Sequence, residues 1–184
     1  IGFESRISRE PEILQTATKL ILPGVGHFRY AMELLAQHQL VDLLTERVLE
    51  ARVPVLGICL GAQLLGRGSE EGNAKGLNWV PMDTVAFDRT QLRQGEKVPH
   101  MGWAETSHAD CVLFGEMGNT ARYYYVHSYH FRCDAPEMVI CTAEHGYRFA
   151  SGVAHRNIMG VQFHPEKSHK FGMQLLKNFA LMEF

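Results

Sequence analysis

The first third of the chain shows the hydrophobic periods of alternating strands and helices. Residues 18–22 and 53–58 are short apolar runs of the kind that forms buried strands. The first run leads into a Pro-Gly-Val-Gly turn, and the second leads into residues 60–66, which favour a helix. Between the two strands, residues 30–51 carry apolar side chains at helical spacing, namely Leu34, Leu35, Val41, Leu44 and Val48. This alternation is typical of an α/β fold built on parallel strands.

The rest of the chain is dominated by short runs rich in β-branched and aromatic residues. These runs predict strands at residues 84–87, 123–131, 138–144, 148–155 and 158–163. The chain then closes with an amphipathic helix over residues 171–182, whose apolar face carries Met173, Leu175, Leu176 and Phe179. We therefore predict an α/β fold with a mostly parallel central sheet, flanked by helices, and an antiparallel portion formed by the later strands.

Composition limits the classes of protein to which the chain can belong. Its 184 residues, of which 46% are hydrophobic, predict a single globular domain over residues 1–184. The net charge of −2 argues against a nucleic-acid binder, and we interpret the short basic stretch at residues 89–97 as a solvated loop. Apolar runs of the roughly 18 residues that a membrane span requires are absent, as is a secretory signal. The sequence therefore predicts a cytoplasmic protein without a membrane partner.

The cysteines and histidines do not follow a metal-binding pattern. The four cysteines, at positions 59, 111, 133 and 141, form no CxxC pair, and we expect reduced thiols. His127 and His130 lie three residues apart on a predicted strand, so their side chains should point to opposite faces. The other histidines without a motif lack ligand spacing, and we expect most of them at the surface: His27, His38, His108, His145, His155 and His169. We predict neither a metal nor a cofactor.

The strongest chemical signal is a cysteine flanked by glycines, in the Gly-Ile-Cys-Leu-Gly segment at residues 57–61. A nucleophile between a buried strand and a helix is typical of a nucleophile elbow, and the glycines permit its tight turn. The helix that follows places Cys59 near its N-terminus, where the helix dipole should favour the thiolate. The alternative is an inert buried cysteine, which is the usual fate of a free thiol.

A second segment supplies the partners that a cysteine nucleophile needs. His164 and Glu166 stand in Gln-Phe-His-Pro-Glu at residues 162–166, about a hundred residues after the elbow. A histidine can accept the thiol proton, and a nearby carboxylate can orient the imidazole and stabilise its charged form. Cys59, His164 and Glu166 are therefore our candidate catalytic triad.

These two segments resemble the signature of the class I, or triad, glutamine amidotransferases. Further motifs in the same order are similar to those of glutaminase subunits of imidazole glycerol phosphate synthases, and they lie at residues 22–26, 69–72, 99–103, 126–129 and 166–168. The resemblance covers nearly the whole chain. It implies that Cys59 attacks the carboxamide of glutamine, that a γ-glutamyl thioester forms, and that ammonia is released.

The oxyanion that forms during this attack needs backbone N–H donors. Elbow geometry predicts the N–H of Leu60, the residue after the nucleophile, as one donor. We expect the second in the glycine-containing turn at residues 23–26, with Val25 and Gly26 as candidates, because glycine lets a peptide turn toward the substrate. The alternative is a strand-to-helix turn without a catalytic role.

The resemblance also implies a set of contacts to L-glutamine. Gln63 and Glu71 should contact the substrate from the side of the elbow helix, and Glu71 suits its α-ammonium group. The residues expected at the other end of the substrate are His127, Ser128 and Tyr129. Read without the resemblance, the acidic residues at 70–71 would be interpreted as a solvated loop.

The sequence lacks an evident site for an acceptor of ammonia, because it contains neither a P-loop nor a dinucleotide-type glycine turn. The resemblance implies that a (β/α)8-barrel cyclase subunit receives the ammonia and makes imidazole glycerol phosphate. It also implies that a loop bounded by proline and glycine meets this partner and gates hydrolysis. The residues of this loop are Pro99, His100, Met101 and Trp103.

Two other functions stay open at this point. Ala104 and the ending at residues 168–172 leave room for a glutaminase subunit that serves a sugar amidotransferase of bacterial surface polysaccharides. A catalytically silent binding module is the second, although all three triad residues are present. We also expect that a strand-helix unit with a glycine-rich turn, found in the family, is missing before Ile1.

Overall fold

The computed structural model describes residues 2–115, 117–118 and 120–183. The unit that we expect before Ile1 lies outside the described residues. The first third of the chain alternates helices and strands: α1 (Pro11–Thr16), β1 (Leu20–Gly24), α2 (Phe28–Gln37), α3 (Leu40–Thr45), β2 (Val55–Cys59) and α4 (Leu60–Leu64). It confirms the order that the hydrophobic pattern predicts for β1, β2 and the elbow helix.

The remainder is mostly strands before a final helix. The strands are β3 (Gly68–Ser69), β4 (Ala74–Lys75), β5 (Met82–Ala86), β6 (His100–His108), β7 (Thr120–His127), β8 (Tyr129–Cys133), β9 (Val139–His145), β10 (Tyr147–His155) and β11 (Ile158–Val161), and the helix is α5 (His169–Leu181). All strands join one sheet in the order β1-β2-β11-β10-β8-β5-β3-β4, with β9 pairing with β10 and β6, and β7 pairing with β6.

The part of the sheet that matters for chemistry is a parallel block formed by β1, β2 and β11. In its register Gly24 pairs with Cys59, and Val161 pairs with Ile58. The carboxyl ends of the three strands therefore meet at one edge of the sheet, where α/β proteins place their ligands. The segments that leave this edge are residues 25–27, residues 60–64 and residues 162–166.

The sheet confirms an α/β fold with parallel and antiparallel portions, but the expected balance between them was wrong. Parallel pairs join β1 to β2, β2 to β11 and β3 to β5, whereas the other described pairs are antiparallel. The reason is the length of the connections. A parallel pair needs a long crossover, while β9, β10 and β11 follow one another through short turns, and these favour antiparallel pairing.

Three segments also have a structure other than the one that the sequence predicts. The helix expected over residues 30–51 breaks into α2, α3 and a π-helical turn at Glu46–Glu50, because Gln39 adopts the left-handed conformation at φ 56°. The strand expected over residues 123–131 splits at Ser128 into β7 and β8, which pair with different neighbours. Residues 99–103 were expected to be a loop, yet His100 begins the nine-residue strand β6.

Two apolar clusters fill the space on either side of the sheet. The first packs α2, α3 and α4 around fully buried side chains such as Phe28 and Val48. The second packs α5 against later strands, with Phe163 and Phe179 at its centre. Within β2, Val55 contributes to the first cluster and Leu56 to the second, as expected for a strand covered on both faces. Among the described helices, none is long and apolar enough to cross a membrane.

The elbow helix lies directly against the end of β1, and this contact requires glycine. A Cβ atom at Gly61 would overlap the carbonyl oxygen of Leu22. On the other side, a Cβ atom at Gly24 would lie 2.8 Å from the backbone nitrogen of Gly61. Only glycine permits the two backbones to approach so closely, and this approach sets the position of the elbow relative to the turn at residues 25–27.

Gly61→Ala should lower the free energy of unfolding by about 3 kcal/mol or more, because the new methyl group meets fixed backbone atoms. Gly95→Ala is the matched control. Gly95 has φ 93° but open space around its Cα atom, so only left-handed strain of about 1–2 kcal/mol applies. Urea unfolding followed by circular dichroism measures both. Equal losses in the two variants would contradict the close approach at Gly61.

Candidate active site

The turn that carries Cys59 has the strained geometry of a nucleophile elbow. Cys59 adopts φ 53° and ψ −113°, outside the regions that non-glycine residues favour. The turn is so tight that a Cβ atom at Gly57 would lie 2.5 Å from the Cα atom of Ala62. The flanking glycines thus have the role that the sequence predicts, since they allow the strand to pass directly into the helix.

The thiol of Cys59 is buried and protonated at rest. Burial raises its pKa to about 11, despite the opposing effects of the Leu60 N–H and the Gln162 amide. The protonated Sγ donates to the carbonyl oxygen of Val126 at 3.9 Å, and Nε2 of Gln162 donates to Sγ at 3.8 Å. The expectation of a thiolate favoured by the helix dipole was therefore wrong. Loss of hydration raises the pKa more than the hydrogen bond from the N–H of Leu60, the first residue of this five-residue helix, lowers it.

The imidazole of His164 is held in one orientation by the segment that follows β11. Its Nδ1 lies 2.7 Å from Oε1 of Glu166, so Nδ1 carries the proton and donates a hydrogen bond that the carboxylate accepts. The backbone is fixed as well, because Ser168 Oγ donates to the His164 carbonyl at 2.6 Å. Nε2 is buried and finds no hydrogen-bond partner among the described residues. The nitrogen that faces no partner is thus the one that can accept a proton.

A cavity of about 330 Å³ brings together most of the residues predicted for the site. Its wall includes Cys59, Leu60 and His164 from the predicted catalytic groups, and Val25 and Gly26 from the predicted oxyanion turn. The predicted substrate contacts on the same wall are Gln63, Glu71, His127, Ser128 and Tyr129. Residues from remote parts of the sequence therefore surround one space of a size that suits a small amino acid.

Two glutamines connect the elbow helix to the nucleophile. Nε2 of Gln63 donates to Oε1 of Gln162 at 3.0 Å, and Nε2 of Gln162 in turn points at the thiol of Cys59. Gln162 is fully buried, and we had not assigned it a role. Its position could have indicated a role, because Gln162 follows a buried strand and stands two residues before His164. A buried amide at that position needs hydrogen-bond partners, and these lie within the site.

Glu71 is engaged by the backbone and is not free in the cavity. Its Oε2 accepts a hydrogen bond from the backbone N–H of Phe28 at 2.7 Å. Phe28 is the first residue of α2, whose N-cap residue His27 makes no side-chain cap. The carboxylate thus caps the helix that follows the predicted oxyanion turn.

Four buried histidines surround Phe87 beside the cavity, and the sequence analysis missed this cluster. They are His100, His127, His130 and His145, of which His145 was expected at the surface. Burial lowers the pKa of His100 to about 4 and that of His127 well below its usual range. The described part of the chain holds no group of side chains arranged to bind a metal ion. Burial therefore favours the neutral imidazole at His100, His127 and His130, and a hydrogen bond joins His100 to His127.

The hydrogen bonds of His127 show which of the two histidines donates and which accepts. Nδ1 of His127 lies 2.7 Å from the carbonyl oxygen of Tyr129, so this nitrogen carries the proton. Nε2 of neutral His127 is then an acceptor, and Nδ1 of His100 donates to it at 3.2 Å. Because His127 lines the cavity and His100 begins β6, a buried hydrogen bond joins the cavity wall to that strand.

The segment predicted to meet a partner divides between the cavity and the surface. Pro99 lines the cavity and His100 is buried, whereas Met101 and Trp103 are 62% and 40% exposed. The indole of Trp103 stacks on the ring of His169 with centroids 5.2 Å apart. Alternation along β6 explains why His100 is buried while Met101 and Trp103 are exposed, because successive side chains of a strand point to opposite faces.

A second cavity of about 280 Å³ adjoins the first and shares Glu71, Ser128 and Tyr129 with it. Arg89 lies on its wall, so at least one residue of the basic stretch at 89–97 faces a cavity. The stretch had been interpreted as a solvated loop. Arg89 is indeed exposed. The cavity that it faces is lined partly by Ser128 and Tyr129, which are remote in sequence, so the local sequence could not reveal it.

The raised pKa of Cys59 predicts how the thiol reacts when no substrate is bound. The rate of its alkylation by iodoacetamide should rise with pH through 9 toward 11, because only the thiolate attacks. Mass-spectrometric peptide mapping assigns the labelled cysteine, and near-ultraviolet circular dichroism checks that the protein stays folded at each pH. A rate that reaches its plateau below pH 8 would contradict a protonated resting thiol.

Comparison with known proteins places this geometry among glutamine-dependent enzymes. The family model "Glutamine amidotransferase class-I" matches residues 4–182. Similar curated proteins include imidazole glycerol phosphate synthase subunit HisH 2 of Pseudomonas aeruginosa, 46% identical over 98% of this chain and 88% of the relative. The protein of the same name from Methanococcus maripaludis is 45% identical over 97% of this chain and 88% of the relative. A solved structure entitled glutamine amidotransferase has a TM-score of 0.73 at 19% identity, with 98% of this chain and 88% of that one covered, and it supports the fold.

Proposed function

The chain belongs to the class I glutamine amidotransferases, and among them to the HisH subunits of imidazole glycerol phosphate synthase, and we propose that it hydrolyses L-glutamine through Cys59, His164 and Glu166. The ammonia passes to a (β/α)8-barrel cyclase subunit, which uses it to convert PRFAR to imidazole glycerol phosphate and AICAR in histidine biosynthesis. The observation that carries this proposal is the shared cavity, which joins an elbow thiol to a buried imidazole whose Nε2 has no partner among the described residues.

The first step is transfer of the thiol proton together with attack on the substrate. Because the resting thiol has a pKa of about 11, the thiolate forms only as Nε2 of His164 accepts the proton. The sulfur then bonds to the side-chain carbonyl carbon of glutamine, and the carbonyl oxygen becomes an oxyanion. Glu166 stabilises the resulting imidazolium through Nδ1.

The oxyanion is stabilised by backbone donors at the edge of the parallel block. Leu60 N–H and the peptide between Val25 and Gly26 are the donors that we propose, and all three residues line the cavity. Collapse of the tetrahedral intermediate breaks the C–N bond, and His164 returns the proton so that ammonia leaves. Water then attacks the γ-glutamyl thioester, with His164 as base, and glutamate is released while the thiol is restored.

The wall of the cavity also supports recognition of the amino-acid end of glutamine. Glu71 offers a carboxylate to the α-ammonium group, and Gln63 offers an amide that is already oriented by Gln162. His127, Ser128 and Tyr129 line the same cavity. Neutral His127 suits this place, because a buried imidazolium beside an ammonium would repel the substrate.

The partner surface that we propose is the exposed start of β6. Met101 and Trp103 present apolar area to solvent there, and tryptophan is enriched among residues that anchor interfaces. Pro99, two residues before Met101, lies on the cavity wall with Val25 and Gly26. The hydrogen bond from His100 to His127 gives the same strand a second link to the cavity. A partner that moves β6 would therefore act on the oxyanion turn and on the substrate wall.

The two alternatives left open by the sequence receive less support. The named relatives are both synthase subunits, so neither favours a sugar as the final acceptor. A silent binding module is disfavoured because the imidazole is oriented by Glu166 and the thiol shares its cavity.

Cys59→Ser tests the division of labour between the two subunits. In the complex with the cyclase, the variant should lose glutamine-dependent synthesis by a factor of about 10⁴ or more, because nucleophile and base act as one unit. Synthesis from added ammonium salts should be unchanged, since the acceptor chemistry belongs to the partner. The measurement is the rate of imidazole glycerol phosphate formation with each nitrogen source. Loss of both activities in an assembled complex would refute the proposal.

Trp103→Ala tests the partner surface. The variant should weaken binding of the cyclase subunit by about 2 kcal/mol, or uncouple hydrolysis of glutamine from synthesis, while Cys59 still reacts with a chloroketone analogue of glutamine. Leu49→Ala is the matched control, because Leu49 has 43% exposure and lies before the amino end of β2, at the opposite edge of the sheet. Calorimetric titration and the two reaction rates provide the readouts. Unchanged affinity and coupling in Trp103→Ala would contradict the assignment.

A further inference from the structure

The turn that we propose as part of the oxyanion hole is fixed at its first end by the sheet. Gly24 closes β1 opposite Cys59 and packs against the backbone at Leu60 and Gly61. The turn itself is open, because the side chain of Val25 is 80% exposed and the Cα atom of Gly26 has free space around it at φ 101°. Its other end must therefore be held by what contacts the start of α2.

The acidic segment at residues 69–72 provides that second attachment. Oε2 of Glu71 accepts the N–H of Phe28 at 2.7 Å, and the guanidinium of Arg29 donates to the carbonyl oxygen of Gly72. The two segments are also packed together, since a Cβ atom at Gly72 would lie 2.7 Å from the ring of His27. Phe28 itself is fully buried. The end of the turn is thus tied to the segment that carries the substrate-binding carboxylate.

We propose that Glu71 is a positioning residue for the oxyanion turn as well as a contact for the substrate. One carboxylate oxygen holds the Phe28 N–H, which sets where the peptide between Val25 and Gly26 lies, and the carboxylate also lines the cavity. This inference rests on the proposed glutaminase function. It goes further in that Glu71 supports the turnover rate and not only the affinity for glutamine.

Two substitutions separate these contributions. Glu71→Gln keeps an oxygen that can accept the Phe28 N–H but removes the negative charge, whereas Glu71→Ala removes both. In the complex with the cyclase subunit, Glu71→Gln should raise KM for glutamine about tenfold and keep kcat within about threefold. Glu71→Ala should raise KM similarly and also lower kcat by about tenfold or more, because the donor peptide is no longer held.

The preceding residue gives a matched control. Glu70 bears the same charge and accepts a backbone N–H, but its partner is Ala86 at the end of β5, away from the oxyanion turn. Glu70→Ala should therefore leave kcat within about twofold of the wild type. Exchange of the Phe28 amide hydrogen gives a readout that does not depend on activity. It should accelerate in Glu71→Ala and stay close to the wild-type rate in Glu71→Gln.

The outcomes distinguish this inference from the function on which it rests. Equal kcat in the wild type, Glu71→Gln and Glu71→Ala would overturn it and leave Glu71 as a substrate contact alone. Equal loss of kcat in both variants would also overturn it, because charge and not the hydrogen bond would then be responsible. A wild-type complex that fails to hydrolyse glutamine would instead refute the proposed function.

Discussion

The site depends on one backbone constraint, the close approach of the elbow helix to the end of β1. Gly61 and Gly24 meet without side chains between them, and this contact fixes the nucleophile beside the turn that follows β1. The parallel register adds the third segment, because β11 ends next to β2 and delivers His164 to the same edge. The proposed nucleophile, base and oxyanion donors therefore come from three adjacent strand ends. None of them needs a long loop to reach the cavity, so their spacing is set by the rigid sheet.

The same rigid frame is surrounded by parts that can respond to a ligand or a partner. Glu71 reaches the start of α2 through one side-chain hydrogen bond, and His100 reaches His127 through another. Each of these bonds connects the cavity to an element outside the parallel block. A single hydrogen bond contributes on the order of 1 kcal/mol, which is small enough to shift when glutamine or a partner binds. The site thus combines a fixed nucleophile with adjustable walls.

The sequence predicted the features that depend on local chemistry. The glycines around Cys59 specify a tight turn wherever it occurs, and the spacing of His164 and Glu166 allows their contact within one short segment. It could not predict features made by remote strands. Gln39 interrupts a helix whose apolar spacing continues past the break, and His145 is buried only because β9 lies beside β10 and β6. The pKa of Cys59 was misjudged for the same reason, since burial is a property of the whole fold.

The protonated state of Cys59 has a consequence for the durability of the enzyme. Peroxides oxidise thiolates that are exposed to solvent, and they form sulfenic and then irreversible sulfinic acids. Cys59 is 6% exposed, and burial raises its pKa to about 11, so little of the thiol is ionised near neutral pH. Burial that raises the pKa of the proposed nucleophile should therefore also slow its oxidation by peroxides in the free protein.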